Sequence, residues 1–301
     1  MKKVHLLHNP TAGDNDFSKK ELVKLIEKEN FECIYTSVKE DEWDAFQNDA
    51  EFLVIAGGDG TVRRVAKSLM KRKRIEKHFP LALLPHGTAN NISCSLEVDG
   101  QIRDIVRSWH KSDLKKFDIG KVQGMKDDLF FLEGFGYGVF PKLIKTMSKL
   151  EEDPEADVNE KIRAARTVLL DIVQNYKARE CTIKADGKDY SGMYIMVELL
   201  NIRSIGPNLV LAPSADPGDG ELDLVLVYEK DRGKLETYLT NMINGENKPY
   251  KFNTVRAKSF EILWDGKDLH ADDERIKLDD PIEIKIDVQP DMLDFMVMSK
   301  K

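Results

Sequence analysis

The run Gly57-Gly58-Asp59-Gly60-Thr61 has the residue types and spacing of a phosphate-binding turn. It joins an apolar segment, 52–56, to a stretch from Val62 onward in which apolar residues recur at i, i+3, i+4 and i+7. The first segment has the length of a buried strand, and the second pattern is that of one helix face. Glycine leaves no Cβ between the backbone and a ligand, and a helix N-terminus offers N–H groups to an anion. The run therefore predicts a phosphate site.

Two features of the run, the carboxylate of Asp59 and the absence of a lysine after Gly60, exclude some kinds of phosphate site. No lysine follows Gly60, so the run is not a P-loop, and its glycine spacing is not the dinucleotide-binding fingerprint. Beside a phosphate, the carboxylate of Asp59 needs a metal ion or a bound water between the two anions. An ordinary strand-to-helix turn accounts for two glycines, but less readily for three glycines with an aspartate and a threonine.

The elements around this run indicate an α/β domain. Strand-like segments alternate with helical patterns, which is typical of a mostly parallel, doubly wound sheet. The strand-like segments are Lys3–His8, Phe31–Thr36, 52–56 and Pro80–Leu84. Ligands of such sheets bind beyond the carboxyl ends of the strands. We therefore expect the loops 9–13, 57–61 and 85–91 to lie together and to rim one crevice.

The second half of the chain is dominated by strand signals. From Arg179 onward, alternating apolar segments and turn residues predict a mostly antiparallel β domain, interrupted by a helix at about 232–243. Gly134, Gly136 and Gly138 alternate with aromatic residues. This spacing predicts a strand packed tightly against another backbone rather than a phosphate site.

The composition excludes several classes of protein. Of the 301 residues 41% are hydrophobic and 33% are charged, and the net charge is −7, which argues against broad nucleic-acid binding. No apolar run approaches the ~18 residues that a transmembrane helix needs. The three cysteines lie far apart, which is typical of a reducing compartment. The basic run Lys71–Arg74 fits either a solvated helix end or a contact with anionic lipid headgroups.

Three motifs together resemble the catalytic family of the diacylglycerol kinases. The family includes bacterial lipid kinases and is related to the sphingosine and ceramide kinases. The matching residues, in the family's order and spacing, are Asn9, Pro10 and Gly13, then the run 57–61, then Pro85, Gly87, Thr88 and Asn90. The resemblance extends to the C-terminus of the chain.

The resemblance implies a fold of two domains. An N-terminal three-layer α/β nucleotide-binding domain would span 1–118 and be completed by 289–301, and a C-terminal antiparallel β-sandwich domain for the lipid would span 119–288. ATP would bind in the cleft between them. The residues implied for the ATP site are Asn9, Pro10, Thr11, Ala12, Gly13, Thr36, Gly57, Gly58, Asp59, Gly60, Thr61, Arg64, Gly87, Thr88 and Asn90.

Two acidic clusters lie in the second half. The loop 216–223 is rich in carboxylates and glycines, which suits either a hard cation or a solvated turn. The resemblance implies a structural magnesium ion at Asp219, with the backbone carbonyls of Asp216 and Glu221 as further ligands.

The second cluster, 270–274, aligns with the acidic C-terminal motif of the family. Asp272 and Glu274 are implied as acceptors of the proton of the lipid hydroxyl, with Asp59 as the next candidate. If the segment is extended, its period of two places Asp272 and Glu274 on the same face and turns Asp273 away.

We therefore expect an ATP- and Mg²⁺-dependent lipid kinase that acts on a diacylglycerol-like substrate. It would be cytoplasmic and would meet its lipid substrate at a membrane surface, without a transmembrane segment or a nucleic-acid partner; a homodimer remains open. The alternatives are a kinase of sphingolipids or of soluble alcohols, and a nucleotide-binding regulator without turnover. The regulator is motivated by Asn91 and Asp273, which replace an aspartate and a glycine of the family pattern.

Overall fold

The computed structural model describes residues 1–13, 17–73, 76–125, 129–150, 156–246, 248 and 250–299. Arg74, the last residue of the basic run, lies outside them. The chain divides into two compact units. The first contains Met1–Phe117 and Asp291–Lys301, and the second contains Asp118–Pro290.

The first unit is a parallel sheet with helices packed on it. Its strands are β1 (Lys2–His8), β2 (Phe31–Ser37), β3 (Phe52–Gly57) and β4 (Leu81–Pro85). Its helices are α1 (Lys19–Lys28), α2 (Asp59–Met70), α3 (Asn91–Ser95) and α4 (Ile102–Ser108). The strands lie in the order β4–β3–β1–β2, and each neighbouring pair is parallel. Helix α1 packs against β2 and α2 against β3.

The predicted buried strand at 52–56 is confirmed as β3. It is buried along its whole length, because it lies between β1 and β4 in the sheet and under α2. The helix predicted from Val62 is also confirmed as part of α2, in which Val62, Val65 and Ala66 are buried. A strand covered on both faces is expected to be apolar throughout, as this one is.

The second unit is built mainly of antiparallel strands. Two long strands, β5 and β18, have residues in both units. The strands are β5 (Ser112–Gln123), β6 (Leu129–Phe131), β7 (Gly134–Gly138), β8 (Arg179–Ala185), β9 (Lys188–Asp189), β10 (Gly192–Leu200), β11 (Ser204–Ile205), β12 (Leu209–Val210), β13 (Leu222–Tyr228), β14 (Asn253–Ala257), β15 (Ser259–Trp264), β16 (Asp268–Ala271), β17 (Glu274–Lys277) and β18 (Glu283–Met298). The helices are α5 (Val139–Met147), α6 (Val158–Asn175) and α7 (Arg232–Ile243).

Two apolar clusters lie on opposite faces of the strands of the second unit. The strands are ordered β17–β16–β7–β10–β8–β15–β18. Strand β8 pairs with residues 192–194 of β10, and β13 pairs mainly with residues 196–200 of β10. Val197 and Leu199 of β10 belong to a cluster built mainly of strand residues. Ile195 and Met196 belong to a second cluster that includes residues of α5, α6 and α7. The predicted fold class, an α/β domain followed by an antiparallel β-sandwich, is confirmed.

The end of the chain belongs to the first unit. Phe295 of β18 pairs in parallel with Leu81 of β4. Its ring is fully buried and lies 4.9 Å, centroid to centroid, from that of Phe117. The last strand therefore completes the core of the unit with which the chain begins.

Candidate active site

The three loops that were predicted to lie together do so in the first unit. Asn9 Nδ2 donates to Thr61 Oγ1 at 3.1 Å, which joins the first loop to the second. The N–H of His86 donates to the carbonyl oxygen of Gly57 at 3.1 Å, which joins the third loop to the second. A Cβ at Gly13 would lie 2.3 Å from the carbonyl oxygen of His86, so the first and third loops also meet. Each loop follows the carboxyl end of a strand of the same sheet.

The second and third loops touch backbone to backbone at two glycines. A Cβ on Gly58 would lie 2.8 Å from the Cα of Gly87, and a Cβ on Gly87 would lie 2.4 Å from the Cα of Gly58. The φ of Gly58 is −92°, so the close approach, and not its backbone conformation, requires glycine there. Asp59, the next residue, is the first residue of α2. The contact therefore leaves bare backbone beside the N-terminus of a 12-residue helix.

Asp59 holds the third loop against the second. Its carboxylate accepts hydrogen bonds from the N–H of Asn91 at 2.8 Å and from that of Ile92 at 3.0 Å. These are the first two residues of α3, so the negative charge lies at the N-terminus of that helix, where it is favourable. The backbone donors explain how a carboxylate is accommodated at this turn.

Asn90 shapes the third loop. It adopts a left-handed conformation with φ +51°, which asparagine tolerates better than most residues. Its side chain accepts from the N–H of Gly87 at 2.8 Å and donates to the carbonyl oxygen of Gly87 at 2.7 Å. Asn91, which replaces the aspartate of the family pattern, is buried at the start of α3.

The other residues expected at the ATP site lie on the same loops or beside them. Pro10, Thr11, Gly60 and Thr88 are exposed, and Ala12 is half-buried. The loop 9–13 is held by Asn9, whose Oδ1 accepts from the hydroxyl of Thr11 at 3.0 Å.

Two of the expected residues are held by neighbours outside the three loops. Thr36 lies on β2, and its hydroxyl is 2.8 Å from Nε2 of His5. Burial lowers the pKa of His5. The guanidinium of Arg64 lies 4.8 Å from the ring centroid of Trp43, as in a cation–π contact.

Asp272 lies in a tight turn of the second unit, so the condition for the predicted shared face, an extended segment, is not met. Ala271 at the end of β16 pairs with Glu274 at the start of β17, so Asp272 and Asp273 form the two-residue turn of a hairpin. Asp272 has φ +53°, which turns the chain back on itself. The alternation of an extended strand does not apply here, and Asp272 and Glu274 do not share a strand face.

The carboxylate of Asp272 is buried and accepts backbone hydrogen bonds. Its Oδ1 accepts from the N–H of Leu132 at 3.0 Å, of Glu133 at 2.8 Å and of Gly134 at 3.3 Å. The N–H of Asp272 donates to the carbonyl oxygen of Gly134 at 2.7 Å. Asp272 therefore anchors the hairpin to the segment before β7, whereas Asp273 and Glu274 are exposed.

The acidic loop 216–223 contains an arginine partner that the sequence did not indicate. The guanidinium of Arg256 forms ion pairs with Asp219 and with Glu221. Within the loop, Asp219 Oδ1 accepts from the N–H of Glu221 at 3.0 Å, and Asp216 Oδ1 accepts from the N–H of Gly218 at 3.0 Å. In the described part of the chain, no three His, Cys, Asp or Glu side chains are grouped as a metal site.

Asp223 is the buried carboxylate of this region. It is 2% exposed, and its Oδ1 has no hydrogen-bond partner among the described residues. Burial raises the pKa of Asp223 to about 6; Arg256 opposes this effect, and the charges of Asp219 and Glu221 add to it. Burial likewise raises the pKa of Asp219. The loop thus combines oxygen ligands with a buried carboxylate oxygen that has no hydrogen-bond partner among the described residues.

Pairing between distant strands explains why the sequence did not reveal Arg256. Asp223 of β13 lies opposite Arg256 of β14, 33 positions later in the chain. Asp118 was missed for the same reason: its carboxylate accepts from the N–H of Gly220 at 2.7 Å. Neither residue stands in a local motif, so only the register of the strands brings them to the loop.

Among the residues that the structure describes, no helix combines the length and the apolar character needed to cross a bilayer.

Two family models match most of the chain. Residues 3–122 match the diacylglycerol kinase catalytic domain, and residues 158–297 match the YegS C-terminal NAD kinase beta sandwich-like domain. The first match ends at Val122 within β5, and the second match begins at Val158, the first residue of α6, and ends within β18.

Individual relatives match over most of their length. A diacylglycerol kinase of Staphylococcus carnosus is 27% identical over 272 residues, with 87% of this chain and 84% of that protein covered. A diacylglycerol kinase of Bacillus subtilis is 24% identical, with 82% and 80% covered. A crystal structure of a diacylglycerol kinase from Bacillus anthracis has a TM-score of 0.68 at 20% identity, covering 98% of this chain and 97% of that one. The last likeness shows the fold alone.

Proposed function

Because the chain belongs to the diacylglycerol kinase-like family of bacterial lipid kinases, and is a kinase, we propose that it transfers the γ-phosphoryl group of ATP to the hydroxyl of a diacylglycerol-like lipid. Mg²⁺ would accompany the nucleotide and offset its negative charge. The single observation that carries this proposal is the close contact of Gly58 with Gly87 at the N-terminus of α2.

The first unit supplies a cradle that fits the phosphates of a nucleotide. Because Gly58 and Gly87 have no side chains, the backbone beside the N-terminus of α2 is not covered at this point. Anions bind well at a helix N-terminus. Asn9 and Thr61 hold the first loop beside it. In this proposal Asp59 keeps the third loop in place through the N–H groups of α3, and it need not contact the nucleotide itself.

In this proposal one carboxylate of the second unit acts on the acceptor hydroxyl. Phosphoryl transfer depends on positioning and on charge neutralisation, and a carboxylate accepts the proton of the attacking hydroxyl. We assign this role to Glu274, which is exposed at the first position of β17. Asp272 instead positions the turn, because its oxygens already accept backbone hydrogen bonds.

The loop 216–223 fits a structural divalent cation. Its donors are oxygens, as Mg²⁺ requires, and Asp223 Oδ1 is a buried acceptor with no partner among the described residues. In this proposal Asp219 is a ligand, with the backbone carbonyls of Asp216 and Glu221. The ion would compete with Arg256 for the carboxylate of Asp219.

The lipid substrate implies that the enzyme meets the membrane peripherally from the cytoplasm. The described residues of the basic run support a contact with anionic headgroups. Lys71 and Lys73 follow the end of α2 and are exposed. Cationic side chains near an anionic bilayer surface contribute about 1 kcal/mol each to binding.

The test is a phosphoryl-transfer assay with radiolabelled ATP and mixed micelles that each contain one lipid. We expect labelled phosphatidic acid from diacylglycerol, and we expect chelation of Mg²⁺ to abolish it. Labelled product from a sphingoid base or a soluble alcohol alone would overturn the substrate assignment while the kinase activity stands. Tight ATP binding with no product from any acceptor would instead support a regulator without turnover.

A further inference from the structure

Two ionisable side chains, Glu198 and His270, meet inside the second unit over a glycine. Strand β7 lies between β10 and β16, and Gly136 of β7 is opposite both Glu198 of β10 and His270 of β16. A Cβ on Gly136 would lie 2.2 Å from the nearest carboxylate oxygen of Glu198. The missing side chain of Gly136 therefore makes the room in which the two groups meet. The glycine alternation had predicted tight packing against backbone, whereas at Gly136 the neighbour is a carboxylate.

The pair is completely enclosed. Glu198 is 0% exposed and His270 is 1% exposed. Nε2 of His270 lies 2.8 Å from Oε2 of Glu198. The other carboxylate oxygen, Oε1, has no hydrogen-bond partner in the described part of the chain. A buried carboxylate is costly unless it is paired, so the contact with His270 is the interaction that keeps Glu198 in this place.

The imidazole also contacts the backbone of the two-residue turn Asp272–Asp273, which we call the acidic turn. Nδ1 of His270 lies 2.8 Å from the carbonyl oxygen of Asp272. A carbonyl oxygen only accepts, so Nδ1 carries a hydrogen. If Nε2 carried none while Glu198 were ionised, two lone pairs would face each other at 2.8 Å. The pair must therefore retain one further proton between Nε2 and Oε2.

The surroundings favour retention of that proton. Burial raises the pKa of Glu198, and the contact with His270 opposes this effect. Burial disfavours the charged imidazole, but Glu198 and the carbonyl and charge of Asp272 outweigh it and raise the pKa of His270. On the sides given by α5 and β7, the Phe140 ring lies 5.8 Å from the His270 ring, centroid to centroid, and Gly136 has no side chain.

We propose that the proton shared by Glu198 and His270 is a positioning device for phosphoryl transfer, because it fixes the Asp272 turn from which Glu274 begins β17. The inference rests on the proposed function, in which Glu274 accepts the proton of the lipid hydroxyl. His270 and Glu198 are positioning residues and do not touch the substrate. When the shared proton is lost, the contact between the two side chains becomes repulsive and the turn loosens.

Two substitutions of Glu198 distinguish the effect of the hydrogen bond to His270 from the effect of side-chain volume. In Glu198→Gln the amide N–H donates to Nε2 of a neutral His270, so the turn keeps its support and no extra proton is needed. In Glu198→Leu the volume is similar, but Nε2 is left without a partner in the interior. The two variants are therefore matched in size and differ in hydrogen bonding.

The first measurement needs no lipid substrate. Hydrogen exchange of the amides of 272–274 and nitrogen NMR of the His270 ring are recorded for the wild type and both variants. We expect N–H signals from both ring nitrogens in the wild type at neutral pH, slow exchange in the wild type and in Glu198→Gln, and faster exchange in Glu198→Leu. Wild-type exchange rates in Glu198→Leu would overturn the proposal.

The second measurement is kinetic. Misplacement of a reacting group by about 1 Å can cost ~100-fold in rate, so we expect kcat of Glu198→Leu to fall by ~10–100-fold while KM for ATP stays unchanged. Glu198→Gln should recover most of this loss. The wild type should lose kcat at alkaline pH as the shared proton leaves, and Glu198→Gln should lack that loss.

The outcomes are distinguishable from a failure of the proposed function. If the wild type phosphorylates no lipid, the proposed function fails, and the exchange and NMR data alone decide whether the shared proton holds the turn. If the wild type is active and both variants lose kcat equally at every pH, the proton has no role and the proposal is overturned.

Discussion

At the scale of single residues, the same chemical type serves different purposes in this chain. Asp59 and Asp272 both stand in motifs expected to do chemistry, and both carboxylates accept backbone N–H groups. Asp223 is buried with an oxygen that lacks a partner in the described residues, and Glu274 is exposed. A charge-assisted hydrogen bond to backbone contributes about 1.5–3 kcal/mol, so the first two residues matter for structure.

The Gly58–Gly87 contact leads to a prediction about ATP. Gly58→Val should weaken ATP binding at least ~30-fold, equivalent to about 2 kcal/mol, because a side chain would intrude where the two backbones meet. Titration calorimetry with ATP and Mg²⁺ measures the affinity, and circular dichroism checks the fold. Gly233→Ala is the control: a Cβ there meets nothing within 4 Å, and the position is helical. Unchanged affinity in a folded Gly58 variant would place the nucleotide elsewhere.

The acidic turn leads to a prediction that separates chemistry from structure. Glu274→Gln should lower kcat at least ~100-fold at unchanged melting temperature, since general-base assistance is worth ~10²–10⁴-fold. Asp272→Asn should instead lower the free energy of unfolding by about 1–3 kcal/mol, because its amide places a donor against backbone donors. Steady-state kinetics and urea unfolding measure the two effects.

The control for the acidic turn is Asp273→Gly. Asp273 is exposed, and the substitution restores the glycine of the family pattern. Both kcat and stability should therefore stay near the wild-type values. Normal turnover in Glu274→Gln would remove Glu274 as the proton acceptor.

At the scale of elements, short loops are held by partners that come from other strands. The loop 216–223 is supported by Arg256 from β14 and by Asp118 from β5. The third loop, 85–91, is held by Asp59 at the start of α2. Asp118 and Asp59 accept from backbone N–H groups of the loops, whereas Arg256 pairs with carboxylate side chains of its loop. A loop of this kind depends on the register of the strands around it.

The loop 216–223 leads to a prediction about Mg²⁺. At pH 7.5, added Mg²⁺ should raise the melting temperature of the wild type by about 3 °C, which corresponds to about 1 kcal/mol, and should not raise that of Asp219→Ala. Because the pKa of Asp223 is raised from 3.8 to about 6 in the folded chain, its burial costs stability as the pH rises from about 4 to about 6, and the full cost remains above that pH. A cation relieves this cost only when Asp223 is ionised.

The pH dependence supplies the control for the Mg²⁺ effect. Below pH 6 Asp223 is mostly protonated in the folded chain, so the gain from Mg²⁺ at pH 5 should be smaller than at pH 7.5. Differential scanning calorimetry at both pH values measures it. An equal gain in the wild type and in Asp219→Ala would mean that Mg²⁺ acts at another site.

At the scale of the whole molecule, the chain leaves the first unit and ends in it. Residues 291–301 belong with residues 1–117, and Phe295 is buried among them beside Phe117. The second unit is therefore an insertion into the sequence of the first. The stability of the first unit depends on residues that follow the second unit in the sequence.

The return of the chain leads to a prediction about stability. Phe295→Ala should lower the free energy of unfolding by about 3–5 kcal/mol, because a fully buried ring is replaced by a cavity. Met292→Ala is the matched control on the same strand, since Met292 is 38% exposed, and it should change stability by less than about 1 kcal/mol. Urea unfolding measures both, and equal effects would show that the last strand does not support the core.

The local sequence was sufficient for the strand and helix on either side of the glycine run 57–61 and for the meeting of the three loops. The apolar run 52–56 has the length of a buried strand, and the glycines after it favour a turn, since both features depend on short-range pattern and backbone sterics. Because strands of a parallel sheet end at the same edge, the loops 9–13, 57–61 and 85–91 could be placed together without coordinates.

Strand pairing over long separations decided what the sequence could not. The anchoring of Asp272 to the backbone of 132–134, the ion pairs of Arg256 and the meeting of Glu198 with His270 all depend on which strands are neighbours and in which register. A shift of one residue in register would turn each of these side chains to the opposite face. Residues separated by 72 or 140 positions leave no local periodicity in the sequence, so only the tertiary structure brings such pairs into view.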